Sequence, residues 1–452
     1  MDWWRRPLGA LVSGRRVIVA GGPAAGWTSL VAALRDLGAT DVLVVATEGT
    51  GAGPQPDATV AVVDVPGDDT DAMVRLHAAI DLLAAPPSAI VDAVEAFDAD
   101  RTAVVFGSFL TETPELVGRS LVAHRRGEWV ALEDKTIVDA LLDRAGVTRA
   151  ASTVLPVGEA GQAWREFDHG AGTAWAADAR DGYHGGGTRT RWVTDDDDAA
   201  AAAADLAPWC DVVRVMPFLE GIATSVHGIV LPDGVVSLRP VELVTLRRGH
   251  ELRYAGCATF WDPPPAVRDE MRDAARRVGT LLRDEIDYRG AFTLDGVATA
   301  DGFRPTELNP RFGAGLGVIT RGLDGLPLHL VLDLIVSGTQ LELSAAKLEE
   351  LLLTQADASR SGGSWQLHVK TPIEVAGRAA LYEDGAWRWA ESDEASDGDV
   401  VAKDGFARIS FEASRTPIGP SVGERSVAFW RFADDELGTQ VGPLTAPPDV
   451  TR

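Results

Sequence analysis

The sequence predicts a mixed α/β (α+β) chain: an open α/β domain, a central domain of helices and antiparallel hairpins, and a small β-rich C-terminal domain. Three observations carry this prediction. Short, uninterrupted apolar runs alternate with helix-period stretches through roughly the first 120 residues, the pattern of a parallel sheet covered on both faces. Hairpins with one polar face fill the middle of the chain. After Ser344 the texture changes to short alternating stretches separated by loops such as 391–399. The expected domains are residues 1–125, 126–343 and 344–452.

Taken in order, 16–20, 42–45, 60–63 and 102–106 read as buried strands, with helices at 27–37 and 71–83. Ile137, Val138, Leu141, Leu142 and Ala145 recur at helical spacing over 134–145, and Gly146 supplies a stop. A glycine-rich turn at 182–187 precedes the acidic run 195–198, which leads into an alanine-rich helix. Strands follow at 212–216 and 224–231, and Pro232-Asp233-Gly234 turns the latter into 235–238. Val267, Met271, Ala274, Val278, Leu281 and Leu282 mark an amphipathic helix. Stretches 365–369 and 386–389 read as strands of the C-terminal domain. Gly21-Gly22-Pro23-Ala-Ala-Gly26 breaks the G-x-G-x-x-G dinucleotide pattern. Gly419-Pro-Ser421-Val-Gly423 matches a nucleophile elbow in form, but 424–430 reads as a strand, where that motif requires a helix.

Composition excludes several classes of function. At 452 residues, 46% hydrophobic and 24% charged, the chain is long enough for about three globular cores. Forty-two basic against 67 acidic residues leave a net charge of −25, which argues against nucleic acid as a partner. Two cysteines, Cys210 and Cys257, make neither a disulfide scaffold nor a zinc site. No apolar run reaches the length of a membrane span, and the first residues lack a signal-peptide apolar stretch. The expectation is a cytoplasmic protein with no membrane partner. Only four basic residues are lysines (Lys135, Lys347, Lys370 and Lys403), so a lysine here marks a place where a compact point charge serves.

The segment richest in chemistry runs from Gly290-Ala-Phe-Thr-Leu-Asp295-Gly through a turn at Asp301-Gly302 to Arg304-Pro-Thr-Glu307-Leu-Asn309-Pro-Arg311-Phe-Gly313. As a hairpin with period-two alternation, it places Thr293 and Asp295 on one face and Phe292 and Leu294 on the other. Glu307 and Asn309 share a face on the return strand. Where the two polar faces coincide, Asp295, Glu307 and Asn309 form the hard-oxygen donor set that Mg²⁺ favours. Arg311, two residues further, is then within reach of an anionic substrate.

Glu307-Leu-Asn309-Pro-Arg311 resembles the signature of the ATP-grasp superfamily of carboxylate–amine ligases. That resemblance implies Asp295, Glu307 and Asn309 as metal ligands and Arg311 as the catalytic arginine on phosphate or substrate. Other pieces follow in the same order. Glu133-Asp134-Lys135 looks like the family's Asp-Lys opening, with Lys135 on ATP phosphates. Gly182-Tyr-His184-Gly185-Gly186-Gly187 resembles the loop that closes over ATP. Arg214-Val-Met216-Pro-Phe218-Leu-Glu220-Gly221 resembles the adenine linker, with Met216 and Phe218 as apolar walls and Glu220 on the ribose. In the family the strand before the glycine loop carries a second phosphate-binding lysine. Here Thr173-Ala-Trp-Ala-Ala177-Asp-Ala-Arg180 has none at Ala177, and Arg180 or another arginine is the expected substitute.

The implied cofactors are ATP and Mg²⁺. The implied reaction activates a carboxylate as an acyl phosphate and transfers the acyl group to an amine, leaving ADP and phosphate. Residues 416–434, with 217–226 and Arg239-Pro-Val-Glu242-Leu-Val, are similar to the actinobacterial peptide ligases of the pheganomycin type. This implies antibiotic or other secondary-metabolite biosynthesis, with an amino-acid-like (non-proteinogenic) carboxylate and a peptide amine as substrates. Arg239 and Arg321 are the candidates for orienting substrate, and a homodimer is compatible with the reading. A ligase of two small molecules, such as free amino acids, and a catalytically silent nucleotide-binding module remain as alternatives.

Overall fold

The computed structural model describes all residues except 1, 48–52, 66–71, 181–186, 188, 322, 324–325, 393, 404 and 452. Three large sheets organise it. In the first, the parallel strands Thr59–Val62, Asp41–Ala46, Arg16–Ala20 and Val104–Phe106 lie side by side in that order. Val17, Ile18, Val42 and Leu43 are buried, as continuous apolar runs demand when helices cover both faces. The helices Asp2–Val12, Thr28–Asp36, Ala72–Asp81 and Ser88–Phe97 belong to this part of the chain.

The second sheet is antiparallel, in the order Thr153–Pro156, Val212–Pro217, Thr173–Ala177, Thr190–Val193. Trp175, Ala177, Val213 and Val215 pack from one face onto Trp164 and Leu206 of the helices Val157–Phe167 and Asp196–Leu206. Asp195 caps the second of these helices, its side chain accepting from the Asp198 N–H at 2.8 Å.

The third sheet has ten strands. It starts with the hairpin Gly302–Asn309/Gly290–Thr299 and continues through Ile222–Leu231, Gly234–Arg248 and Glu251–Ala258. It then runs on through Gly362–Gln366, Phe406–Phe411, Gly398–Lys403, Val375–Glu383 and Ala386–Trp389. The C-terminal strands therefore extend the central sheet, joined by antiparallel pairing of Gly256–Ala258 with Gly362–Ser364. The amphipathic helix Pro265–Ile286 buries Met271, Val278 and Leu282 against Phe292, Leu294 and Leu308 of the hairpin's apolar face. No helix among the described residues is long and apolar enough to cross a membrane.

Two elements depart from the sequence reading. The strand Thr59–Val62, expected to be buried over 60–63, lies at the sheet edge with Val60 and Val62 exposed. Residues 424–430 are not a strand but part of the helix Gly423–Leu437, which Gly438 ends in the left-handed conformation at φ 70°. Val427, Ala428, Phe429, Trp430, Phe432 and Ala433 are all buried, so apolar residues surround the helix and leave no 3.6-residue period to read. Its N-terminus meets Glu242: Val422 N–H donates to Oε2 at 2.9 Å and Ser421 Oγ–H to Oε1 at 2.5 Å. Ser421 is thus tied to a buried carboxylate and is not poised against a base.

Candidate functional site

The hairpin forms as its alternation requires. Asp295 lies opposite Glu307 and Thr293 opposite Asn309, with a bulge between Asp295 and Gly296 that gives the return strand one extra residue. On the other side of the Gly290–Thr299 strand, Ser225 pairs with Asp295 and His227 with Thr293. One sheet face therefore carries two carboxylates, an amide, a serine and a histidine.

Asn309 Nδ2 donates to Asp295 Oδ2 at 2.9 Å, and Ser225 Oγ–H donates to Asp295 Oδ1. Burial, and next the charge of Glu307, push the Asp295 carboxyl up to about 7; Ser225, Arg311 and Lys135 oppose the rise. Lys135 Nζ stands 3.3 Å from Glu307 Oε1. It sits in the turn before the helix Val138–Arg144, where Asp134 Oδ1 accepts from the Thr136 N–H at 2.8 Å. Arg311 donates from Nη2 to Asn309 Oδ1 (3.1 Å) and from Nε to Glu133 Oε1 (2.9 Å). Lys135, Asp295, Glu307, Asn309 and Arg311 thus form one connected network.

Among the described residues no group of three or more His, Cys, Asp or Glu side chains forms a metal cluster. The candidate set is two carboxylates and one amide oxygen. It fits a hard divalent cation: burial first and the facing Glu307 charge second raise Asp295, and a cation held there would oppose both.

The loop carrying Arg311 is seated by glycine. A Cβ on Gly313 would collide with Thr293 Oγ1 and approach His227 Nε2 to 3.1 Å; one on Gly315 would come within 2.9 Å of the same nitrogen. His227 is buried, neither of its ring nitrogens has a hydrogen-bond partner, and burial pushes it down to about 3. A neutral imidazole therefore forms the bed of the loop.

The adenine-linker candidates lie at and just beyond the end of the strand Val212–Pro217 in the second sheet. Met216 is buried, and its Sδ lies 3.2 Å from Arg214 Nη1. Phe218 stacks on Trp192 with ring centroids 4.1 Å apart, and its backbone N–H is taken by Gly172 O. Glu220 pairs with Arg247 at 2.6 Å, and the Arg247 guanidinium lies 5.2 Å from both the Trp192 and Phe218 rings. His184, Gly185 and Gly186 lie outside the described residues. Gly187 is exposed at φ 79° with open space around its Cβ position.

Three candidates fall apart from this network. Arg180 is exposed and bound to Asp211 (2.6 Å) and Pro208 O (3.0 Å). Arg239 is buried and ion-paired with Asp357 (2.6 Å) and Asp262 (3.4 Å), so its charge is met on the side of the helix Ala345–Ala358. Arg321 follows the helix Ala314–Ile319, near Cys257 and Arg408; burial and Arg408 both lower its pKa.

The lysine-free strand is also clarified. Ala177 points into the core of the second sheet; it is the half-buried Ala174 and Ala176 that share a face with Met216 and Arg214, their cross-strand partners. Arg214, directly opposite Ala176, is 1% exposed, paired with Asp139 at 2.7 Å, and reaches Thr306 O of the metal hairpin at 3.4 Å. Arg214, Glu133, Ser225, His227 and Trp192 were not singled out from sequence. The alternation of strand 212–217 could have found Arg214, the sole charged residue in an otherwise apolar strand.

No family model matches the sequence, and no curated protein does. Solved structures do. The biotin carboxylase–βγ-ATP complex from Campylobacter jejuni superposes with TM-score 0.57 at 14% identity, over 96% of this chain and 93% of that one. The biotin carboxylase domain dimer of Hydrogenobacter thermophilus 2-oxoglutarate carboxylase, with MgADP and bicarbonate, gives 0.52 at 14%, over 96% and 91%. L-amino acid ligase from Bacillus licheniformis gives 0.50 at 13%, over 94% and 98%. These likenesses extend over nearly the whole chain, and with the sheet order above they establish its architecture: this chain has the ATP-grasp fold.

Proposed function

We propose that the protein is an ATP-dependent, ADP-forming carboxylate–amine ligase. The observation that carries this reading is the single network on one sheet face that joins Lys135, Glu307, Asp295, Asn309 and Arg311. Asp295, Glu307 and Asn309 would hold Mg²⁺, Lys135 would meet ATP phosphates, and Trp192, Phe218 and Met216 would wall the adenine. ATP supplies the phosphoryl group: a carboxylate oxygen takes it with loss of ADP, and an amine nitrogen then displaces phosphate from the acyl carbon and gives up a proton. The chain's own part is electrostatic. Arg311 is placed to neutralise charge on the transferring group and on the oxyanion that follows. The βγ-ATP of the biotin carboxylase complex and the MgADP of the carboxylase domain support ATP and Mg²⁺ as the cofactors.

At finer grain, we read the acyl donor as an amino-acid-like carboxylate and the acceptor as the amino group of a peptide, in secondary metabolism. The likeness in fold to an L-amino acid ligase supports the donor class. The resemblance of 416–434 to peptide ligases supports the acceptor. The dimeric carboxylase domain favours a homodimer as the assembly to test. The test is phosphate release with ATP, Mg²⁺ and a crossed panel of carboxylates and amines, with mass spectrometry of the product. Peptide acceptors should outperform free amino acids. Nucleotide binding with no phosphate release from any pair would mark a silent module and refute the proposal.

A further inference from the structure

On the far side of Arg311 from the metal hairpin's acids lies a cavity of about 480 Å³, counting its open mouth. Its walls come from the loop after strand Val104–Phe106 (Ser108, Phe109), from Arg125 and Trp129, from Pro310–Phe312, and from His329 and Asp333 of the helix Leu328–Val336. It is a concave pocket with an open mouth, the form of a small-molecule site. We propose that this cavity takes the carboxylate substrate, and that Asp333 selects carboxylates bearing a cationic nitrogen on an aromatic or other apolar frame. This rests on the ligase reading above and names its donor class.

The charge pattern motivates the assignment. Arg125 and Arg311 both lean on Glu133, at 2.6 and 2.9 Å, with Glu112 3.9 Å from Arg125, so two guanidiniums gather at the end nearest Asn309. A substrate carboxylate held there lies beside the proposed phosphoryl site. Asp333 is the one carboxylate among the described residues lining the cavity. Its side chain is 14% exposed, and its buried Oδ2 has no hydrogen-bond partner. His329 Nε2 does not satisfy it: that nitrogen faces Gly107 O at 3.0 Å and stands 3.8 Å from Asp333. Trp129 Nε1 is a second buried, unpartnered group on the cavity wall.

Buried polar groups without partners are rare and costly, and three from residues lining one cavity (Asp333 Oδ2, Trp129 Nε1 and Arg125 Nε) point to a ligand that completes them. Burial pushes the Asp333 carboxyl up to about 7, with His329 opposing the rise, so a cation entering the cavity would supply the charge that favours ionisation. Between the two ends the walls are aromatic. Phe109 and Phe312 lie 5.7 Å apart, and Trp129 meets Tyr288 edge-on at 4.9 Å.

The experiment uses the full chain without nucleotide and two probes of equal shape, 4-(aminomethyl)benzoate and 4-methylbenzoate, followed by calorimetry and by tryptophan fluorescence. The aminomethyl probe should bind wild-type protein about tenfold or more tightly than the methyl probe. In Asp333→Asn, which keeps the side-chain shape, the two should bind within about twofold of each other. The wild-type comparison stands even if the variant folds poorly. Equal affinities on wild type, no binding of either probe, or an unchanged preference in folded Asp333→Asn would overturn the inference. Phosphate release with the same carboxylates is read separately: an Asp333-dependent preference without turnover would keep the ligand class and remove the ligase reading.

Discussion

Gly315→Ala isolates the seat of the loop that carries Arg311. Gly315 lies inside the short helix Ala314–Ile319, whose neighbour Gly317 has nothing within 4 Å of its Cβ position. On helix propensity alone either alanine should stabilise by roughly 0.5–1 kcal/mol. At Gly315, however, the new methyl would sit 2.9 Å from His227 Nε2 and closer still to the ring carbon beside it. Ordinary contact begins near 3.4 Å, so the helix or the ring must retreat by about 0.5–1 Å. His227 cannot retreat cheaply, because it is held on the central strand Ile222–Leu231 and fully buried. Overpacking of this kind costs about 1–3 kcal/mol, and a shift of about 1 Å in a positioning element costs on the order of 100-fold in rate. Gly317→Ala should therefore match or exceed wild type in stability and turnover, whereas Gly315→Ala should lose about 1–3 kcal/mol and on the order of 100-fold in phosphate release. Urea denaturation and a phosphate-release assay under saturating ATP measure both. If the two variants behave alike, the His227 bed does not position Arg311.

Glu307→Gln should abolish phosphate release while leaving the denaturation midpoint near that of wild type, because it removes a metal-binding charge from a partly exposed side chain; wild-type turnover by the folded variant would refute the metal site. Lys135→Ala should weaken ATP binding by roughly 1.5–3 kcal/mol, and unchanged affinity by calorimetry would remove Lys135 from the phosphate site. Ala177→Lys should destabilise by several kcal/mol, since it buries a charge in the second sheet's core, whereas Ala176→Lys should cost about 1 kcal/mol or less; denaturation curves of the pair test the facing of this strand. Burial holds Glu242 up at about 7 against an ordinary 4.5, so the folded state binds its proton more tightly. That contribution to stability is full below about pH 4.5 and is lost as pH rises toward 7, so the stability of Glu242→Gln relative to wild type should rise by up to roughly 3 kcal/mol between those limits, and a flat difference would refute the burial argument.

The hairpin of Gly290–Thr299 and Gly302–Asn309 was legible because one of its faces is apolar and the other polar. Phe292, Leu294 and Leu308 fix which way Asp295, Glu307 and Asn309 must point, and a slip of one residue would have buried the acids. The central parallel strands Arg16–Ala20 and Asp41–Ala46 were legible for the complementary reason, as apolar runs buried along nearly their whole length. The helix Gly423–Leu437 was not legible, since burial on nearly every side erases the period that distinguishes helix from strand. The union of the C-terminal strands with the central sheet was hidden as well. It depends on Gly256 and Gly362, where a Cβ would strike the strand across the junction, and close approach between strands far apart in sequence leaves no local pattern.

Cross-strand adjacency places a basic side chain beside the strand in which a linear motif finds none. At Ala177 any side chain points into the small sheet's core, so an arginine substituting there would have been as unhelpful as alanine. Arg180, the nearest basic residue along the chain, is drawn off to Asp211. One strand over, Arg214 projects from the face shared by Ala176, and its length lets it reach Thr306 O on the metal hairpin while Asp139 grips it through two nitrogens. A guanidinium held this way is a fixed fork, where a lysine would be a mobile point charge. It bridges the small sheet to the hairpin that carries Glu307, so the spacing of the two sheets is tied to the residue opposite the lysine-free strand.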